Sequence, residues 1–228
     1  MFVLYDLAAR DGRRFSPTCW RVKLALAHKG LAFETVPTAF TAISSIHGFS
    51  KTVPIVEHDG RWLNESSAIA HDLDDRFPDR PTLFGGAEGR ALSAFVESWV
   101  EATLHAQLVS FVVKDIHDHL LDEDRDYFRQ SREQRFGKSL EAVVADREAR
   151  LGAFQQSLAP LRLLLARQPF LGGTVPLYAD YVVLGAFQWA RSVSPFKTLA
   201  DDDPVRVYLE RLMDLHGGLA REAVGYPL

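Results

Sequence analysis

The stretch Phe15-Ser16-Pro17-Thr18-Cys19-Trp20-Arg21-Val22, running on to Gly30, decides the fold. The strand-like Phe2-Val3-Leu4-Tyr5-Asp6-Leu7 precedes it, with a polar loop holding Asp11-Gly12 between. Ser16 is a favoured helix N-cap and Pro17 suits the first helical position, where a missing N–H costs nothing. Gly30 is a natural stop after Lys29, because glycine takes the left-handed conformation without penalty. Arg21 and His28 fall on one side, which predicts a largely buried helix with its N-terminus facing outward. Such an N-terminus is an anion site, with unpaired N–H groups and the positive end of the helix dipole aimed at one point. A serine hydroxyl beside it would stabilise a thiolate; a free thiol of pKa about 8.5 is only a few per cent ionised at pH 7. On this turn alone, Ser16 as a simple cap and Ser16 as an activating hydroxyl are both open.

Outward from the turn, Leu31–Val36 alternates as a half-buried strand that Pro37 should end. Thr38–Thr52 reads as irregular, with a short helix around Thr41–Ile46. Val53–His58 and Arg61–Leu63 flank Asp59-Gly60, a strong hairpin signal. Asn64-Glu65-Ser66-Ser67 then opens a helix carrying Ile69, Leu73 and Phe77, stopped by Pro78. Strand–helix–strand implies a parallel pair, and the hairpin adds an antiparallel edge. Pro78–Gly86 is rich in breakers and reads as a linker. Beyond it the periodicity is helical throughout. Leu92, Phe95, Val96, Trp99 and Thr103 are expected on one buried face, followed by Leu104, Leu108, Phe111 and Val112. Lys114–Arg135 reads as a solvated turn and helix start. Helical patterns resume over Leu140–Leu151, Phe154–Ala166, Tyr178–Arg191 and Pro204–His216.

The 228 residues carry a formal net charge of −4, with 47% hydrophobic and 25% charged residues. That balance gives no electrostatic footprint for nucleic acid and no polybasic membrane signal. No apolar run reaches the roughly 18–20 residues of a membrane span, and Phe2–Tyr5 lacks the flanks of a signal peptide. The one cysteine, Cys19, rules out an internal disulfide and fits a reducing, cytoplasmic setting. His105, His117 and His119 with Asp115, Asp118, Asp122, Glu123 and Asp124 lack metal-ligand spacing, so no metal is expected and a solvated surface is the reading.

A Ser-Pro helix start, a later Val-Pro, Glu-Ser at a third element and an all-helical remainder resemble the soluble glutathione transferases over essentially the whole chain. The resemblance implies an N-terminal thioredoxin-like domain with a mixed four-stranded sheet over 1–80, a linker over 81–89, and an all-α domain over 90–228. Ser16-Pro17-Thr18-Cys19 is similar to a thioredoxin-type Cys-Pro-x-Cys whose attacking cysteine is serine, which implies thiolate activation by Ser16 rather than disulfide exchange. Cys19, at the resolving position, has no partner and reads as a small buried packing residue. Val53-Pro54 matches the family's cis-proline turn, implying that Val53 pairs with the cysteinyl backbone of glutathione as an added strand would. Glu65-Ser66 resembles the pair that holds the γ-glutamyl group, and Lys51 and Thr52 lie where the glycyl end is reached. Glutathione is thus the implied co-substrate, a hydrophobic electrophile the second, and a homodimer the implied assembly.

Trp20-Arg21-Val22-Lys23, Ser131–Gly137 and Tyr178–Arg191 are similar to the bacterial β-aryl-etherase group and its fungal relatives. The zeta class is a weaker resemblance, having usually a second serine where Pro17 stands. Asp180 reads as a fold determinant, the N3 residue of a buried capping box, with Leu177 departing from the usual Ser, Thr or Asn cap. Alternatives in the same frame are a non-catalytic binder of glutathione and apolar ligands, and a zeta-like isomerase. Phe95, Trp99, Phe111, Phe187 and Trp189 read as core.

Overall fold

The structure, a computed structural model, describes residues 1–48 and 50–228. Phe49, inside the stretch expected to be irregular, lies outside the described residues. The N-terminal part holds β1 (Phe2–Leu7), α1 (Pro17–His28), β2 (Phe33–Thr38), β3 (Ile55–His58), β4 (Arg61–Asn64) and α2 (Ser66–Arg76). The four strands form one sheet in the order β2-β1-β3-β4. β1 runs parallel to β2 and antiparallel to β3, and β4 returns antiparallel to β3. The Asp59-Gly60 turn has positive φ at both residues, 53° and 76°, the backbone a two-residue hairpin wants.

Two expectations for this half need correction. Pro37 does not end β2 but pairs with Asp6 inside it, and the ladder runs on to Thr38 with Leu7. β2 is the outer strand of the sheet, where a residue without an N–H is tolerated. The short helix expected around Thr41–Ile46 is a single 3₁₀ turn, Ile43–Ser45.

The second part begins at α3 (Ala87–Trp99), which continues through a π-helical turn, Val100–His105, into α4 (Ala106–His119). Then come α5 (Asp122–Phe136), α6 (Leu140–Val144), α7 (Arg147–Ser157), α8 (Ala159–Leu165), α9 (Tyr178–Val193) and α10 (Pro204–Met213). The expected long helices over 140–166 are three shorter ones. On α3, Leu92 and Phe95 do not face the core: they are 67% and 71% exposed. Val100, Leu104, Leu108 and Phe111 are among the buried positions of this long helix. The 114–135 interval is helical except for a short break, and its Asp124 is fully buried. No helix among the described residues is long and apolar enough to cross a membrane.

Helix α9 is the spine of the molecule, buried at nearly every position and packed along α1. Its sequence permits this at Gly185, where an added Cβ would lie 2.6 Å from the Pro17 carbonyl oxygen and 3.3 Å from Arg21 Cγ. Glycine costs about 1 kcal/mol against alanine inside a helix, so a close approach is the reason for it here. Gly185→Ala should therefore destabilise by about 1–3 kcal/mol despite its better helix propensity, through overpacking at the α1–α9 crossing. Chemical denaturation checks this; a stabilised variant would contradict it.

Lys23 in α1 and Lys29 just after it are buried and paired. Lys23 Nζ donates to Asp6 Oδ2 at 2.8 Å and sits 3.4 Å from the Trp20 ring centre; Lys29 meets Asp74 at 2.7 Å. Asp180 is fully buried, and its carboxylate accepts from the N–H groups of Leu171 (2.7 Å), Leu177 (2.8 Å) and Gly172 (3.3 Å) and from the Tyr208 hydroxyl (2.9 Å). Leu177 offers no side-chain acceptor; the reciprocal bond runs from the Asp180 N–H to the Leu177 carbonyl at 2.9 Å. The box is closed by backbone alone on that side, and Asp180 ties a loop and α10 to the start of α9.

Candidate active site

Ser16 caps α1 as the sequence predicts, its Oγ accepting from the Cys19 N–H at 3.2 Å. A hydroxyl has one donor and two acceptor positions, so capping leaves the Ser16 proton available. The nearest acceptor for it is Thr18 Oγ1 at 3.2 Å, long for O–H···O, and Thr18 in turn donates to the Val53 carbonyl at 3.2 Å. The Val53-Pro54 peptide is cis. Ordered pairing between β3 and β1 starts only at Ile55, so Val53 lies beyond the ladder. The cap of α1 and the turn before β3 thus meet through Thr18, a residue the sequence reading did not single out.

Glu65 precedes α2 at φ 66°, a left-handed conformation rare for a residue with a Cβ, and its carboxylate makes no capping bond. Strain of this kind, of order 1–3 kcal/mol, persists where the surroundings dictate it and clusters at ligand clamps. Ser66 is buried behind it, and Arg21 Nη1 reaches Ser66 Oγ at 3.5 Å. Arg21 is itself buried, facing Glu97 at 3.7 Å and Glu101 at 3.6 Å, with Nε and Nη2 unpartnered among the described residues. Lys51 and Thr52 are exposed, and the Thr52 N–H bonds to Ser50 Oγ at 3.1 Å. Ser16, Val53 and Ser66 are therefore gathered around the first two turns of α1, while Lys51 and Thr52 stand on the surface loop beside them. Cys19 is buried with its Sγ 3.7 Å from the Tyr5 carbonyl oxygen, and burial pushes its thiol well up. It packs and stays protonated.

From Ser16 a cavity of about 370 Å³ opens toward the helical part. Leu7, Phe15, Val109, Ile116 and Trp189 give it an apolar wall, and Phe40, Phe128, Arg132 and Arg135 a second, aromatic and cationic one. His105 and Glu101 enter from the π turn. π-Helical turns recur at functional sites, because the extra residue re-aims side chains out of the regular ladder. Two expectations change here. Trp189 is half-buried and lines the cavity rather than the core, and His105 belongs to the same wall rather than to a solvated surface. The position of Phe40 is fixed by Asp124, which accepts from the N–H groups of Phe40 (2.7 Å) and Thr41 (2.9 Å). Among the described residues no group of three or more His, Cys, Asp or Glu is placed to hold a metal ion.

Burial, with the Arg21 charge beside it, lowers the His105 pKa to about 3, so the ring is neutral at ordinary pH. The unfolded chain takes up this proton near pH 6.5 and the folded chain does not, so the unfolded state binds more protons below 6.5 and stability falls as pH falls. His105→Gln removes that proton uptake by the unfolded chain. Its stability should decline less steeply than the parent's between pH 6.5 and 5, by about 1 kcal/mol per pH unit. Denaturant titrations at several pH values read this directly, and parallel slopes would refute it.

A thioredoxin-like sheet domain is joined to a helical domain, and the capped start of α1 opens into the cavity lined by both. The glutathione S-transferase C-terminal domain model matches residues 91–215, and the glutathione S-transferase N-terminal domain model matches residues 15–76. The chain belongs to the glutathione S-transferase family and is a glutathione transferase. It is 23% identical to the glutathione S-transferase-like protein ustS of Aspergillus flavus over 219 residues, 83% of this chain and 79% of that protein. A glutathione S-transferase of Ceriporiopsis subvermispora, solved in complex with glutathione, has the same fold at TM-score 0.82 and 20% identity, over 95% of this chain and 96% of that one. Glutathione transferase GSTFuA2 of Phanerochaete chrysosporium matches at TM-score 0.70 and 28% identity, over 96% and 93%.

Proposed function

We propose that residues 1–80 bind glutathione along the start of α1, that Ser16 and the helix N-terminus hold its thiolate, and that residues 90–228 present a hydrophobic electrophile to it, with 81–89 as the linker. The observation that carries this reading is that the Ser16 hydroxyl caps α1 and lines the 370 Å³ cavity at once. The glutathione complex of the Ceriporiopsis subvermispora neighbour supports the choice of thiol. In this reading Val53 pairs with the cysteinyl backbone beside Pro54, Glu65 and Ser66 hold the γ-glutamyl group at the α2 N-terminus, and Lys51 and Thr52 reach the glycyl end. A homodimer belongs to the same proposal; Leu92 and Phe95 on α3 are apolar surface it could cover.

For an aryl ether, the electrophile suggested by the β-etherase resemblance, the thiolate sulfur forms a bond to the ether carbon. The carbon–oxygen bond breaks, and the electron pair leaves on the phenolate oxygen, which takes a proton from water. For a halogenated aromatic the same attack expels halide. The test is glutathione-dependent turnover over aryl ethers, halogenated aromatics and maleyl compounds. Release of a phenol with one thioether formed per ether cleaved is the expected result. Isomerisation of maleyl compounds alone would move the chain to zeta-like chemistry. Tight binding of apolar dyes with no turnover of any class would make it a carrier.

A further inference from the structure

The α5 side of the cavity wall carries charge that no carboxylate among the described residues neutralises. Four arginines of α5 can be compared directly. Arg125 lies near Asp122 at 3.5 Å, and Arg129 pairs with Glu133 at 2.9 Å and Glu141 at 3.0 Å. Arg132 and Arg135, one and two turns further on and both in the cavity wall, form no ion pair with a carboxylate among the described residues. Arg132 donates to Ser131 Oγ at 2.9 Å, and its other polar neighbours are the Tyr127 phenol and the like charge of Arg135, with no carboxylate among them. Burial lowers the Arg132 pKa, as expected of a guanidinium withdrawn from water without a counter-ion. Its plane is held by two rings, its central carbon 4.6 Å from the Phe128 ring centre and 5.6 Å from that of Phe40. Phe40 is in turn anchored through its backbone by the buried Asp124. A positioned guanidinium fork with free donors is complementary to a carboxylate in a way that a lone ammonium is not.

The π-turn side of the cavity wall carries an acid instead of a free cation. Glu101 is there, facing Arg21 at 3.6 Å, and His105 is neutral with a buried, unpartnered Nε2. A substrate anion would find its cations on α5 and none among the π-turn residues of the lining. A cavity of about 370 Å³ is at the small end of ligand sites and holds a single substituted ring.

Resting on the glutathione reading above, we propose that the preferred electrophile is a one-ring aromatic compound bearing a carboxylate, held by Arg132 with help from Arg135 while its reacting carbon faces Ser16.

The test uses a matched pair of electrophiles with the full-length protein and glutathione: 4-chloro-3,5-dinitrobenzoate and the uncharged 1-chloro-2,4-dinitrobenzene. In both, the thiolate forms the carbon–sulfur bond and chloride leaves. After correction for the uncatalysed rates, kcat/KM should favour the benzoate, and Arg132→Gln should lower the benzoate-to-neutral ratio about tenfold or more, the scale of a charge-assisted bond. Arg135→Gln changes an exposed side chain without disturbing the core and should lower the ratio by a smaller factor, which keeps the test open if Arg132→Gln folds poorly. Arg129→Gln, on the same helix with its own carboxylate partners, should leave the ratio where it was. Turnover of both compounds with an unaltered ratio in Arg132→Gln and Arg135→Gln would overturn this inference alone. No turnover of either compound, with no calorimetric binding of glutathione or of either S-conjugate, would overturn the glutathione reading and this inference with it.

Discussion

Ser16→Ala is expected to lower kcat/KM for glutathione conjugation at pH 7 by about 8-fold, with most of the loss recovered near pH 9. The reasoning starts from the thiol. Lowering a thiol from about 8.5 by two pKa units takes roughly 2.7 kcal/mol of differential stabilisation. A hydrogen bond to a charged acceptor contributes about 1.5–3 kcal/mol, and a helix N-terminus about 0.3–1 kcal/mol. The hydroxyl is thus the larger share and the α1 N-terminus the remainder. Without Ser16 the bound thiol should titrate near 8, leaving roughly a tenth of it ionised at pH 7. At higher pH the thiolate forms unaided, which is why the deficit should shrink. Ser16 also caps α1, so the variant should lose about 1 kcal/mol of stability, a few degrees in Tm for a chain of this size. A rate loss that does not change with pH would mean that Ser16 acts only as a cap.

Asp180→Ala should be the most damaging single substitution to stability, about 3–4 kcal/mol and roughly 10 °C in Tm. The carboxylate is fully buried and accepts from three backbone N–H groups and the Tyr208 hydroxyl. Burial pushes its pKa up, while those donors pull it back down. Alanine would leave all the donors buried without an acceptor. Each stranded donor costs about 1–3 kcal/mol before relaxation, and water entering the vacated space would recover part of the sum. Tyr208→Phe removes one donor and its bond together, and should cost only about 1 kcal/mol. Calorimetric melting of both variants checks the pair. An Asp180→Ala protein as stable as Tyr208→Phe would show that the loop from Leu171 to Leu177 does not depend on the carboxylate.

The parts of the fold that local chemistry determines were legible in the residues. Ser16-Pro17 marks a helix start, Asp59-Gly60 a hairpin, and Asp180 a buried acceptor, because each residue type suits a particular backbone geometry. What was not legible depends on the surroundings. Pro37 stops a central strand and is tolerated in an outer one, and no local pattern says which strand is outermost. Leu92 and Phe95 fit the helical period, but the period says nothing about whether a neighbour covers that face. Asp124 sits in a run of charges that looks solvated, and its partners Phe40 and Thr41 are some eighty positions away in the chain. The candidate site divides the same way. Ser16, Val53 and Ser66 were readable from motif order. Phe40, His105 and Arg132 were not, since a π turn and a long-range anchor bring them to the cavity. Arg132 does lie within the Ser131–Gly137 stretch that carries the etherase resemblance, a signal the sequence reading did not take as far as a site.

The central claim is that Ser16 and the start of α1 stabilise a glutathione thiolate. The most direct measurement is a pH titration of the ultraviolet thiolate absorbance of glutathione bound to the parent protein and to Ser16→Ala. The bound thiol should titrate near about 6.5 in the parent and about 8 in the variant. Equal values in the two proteins, or a parent value no lower than that of free glutathione, would contradict the claim.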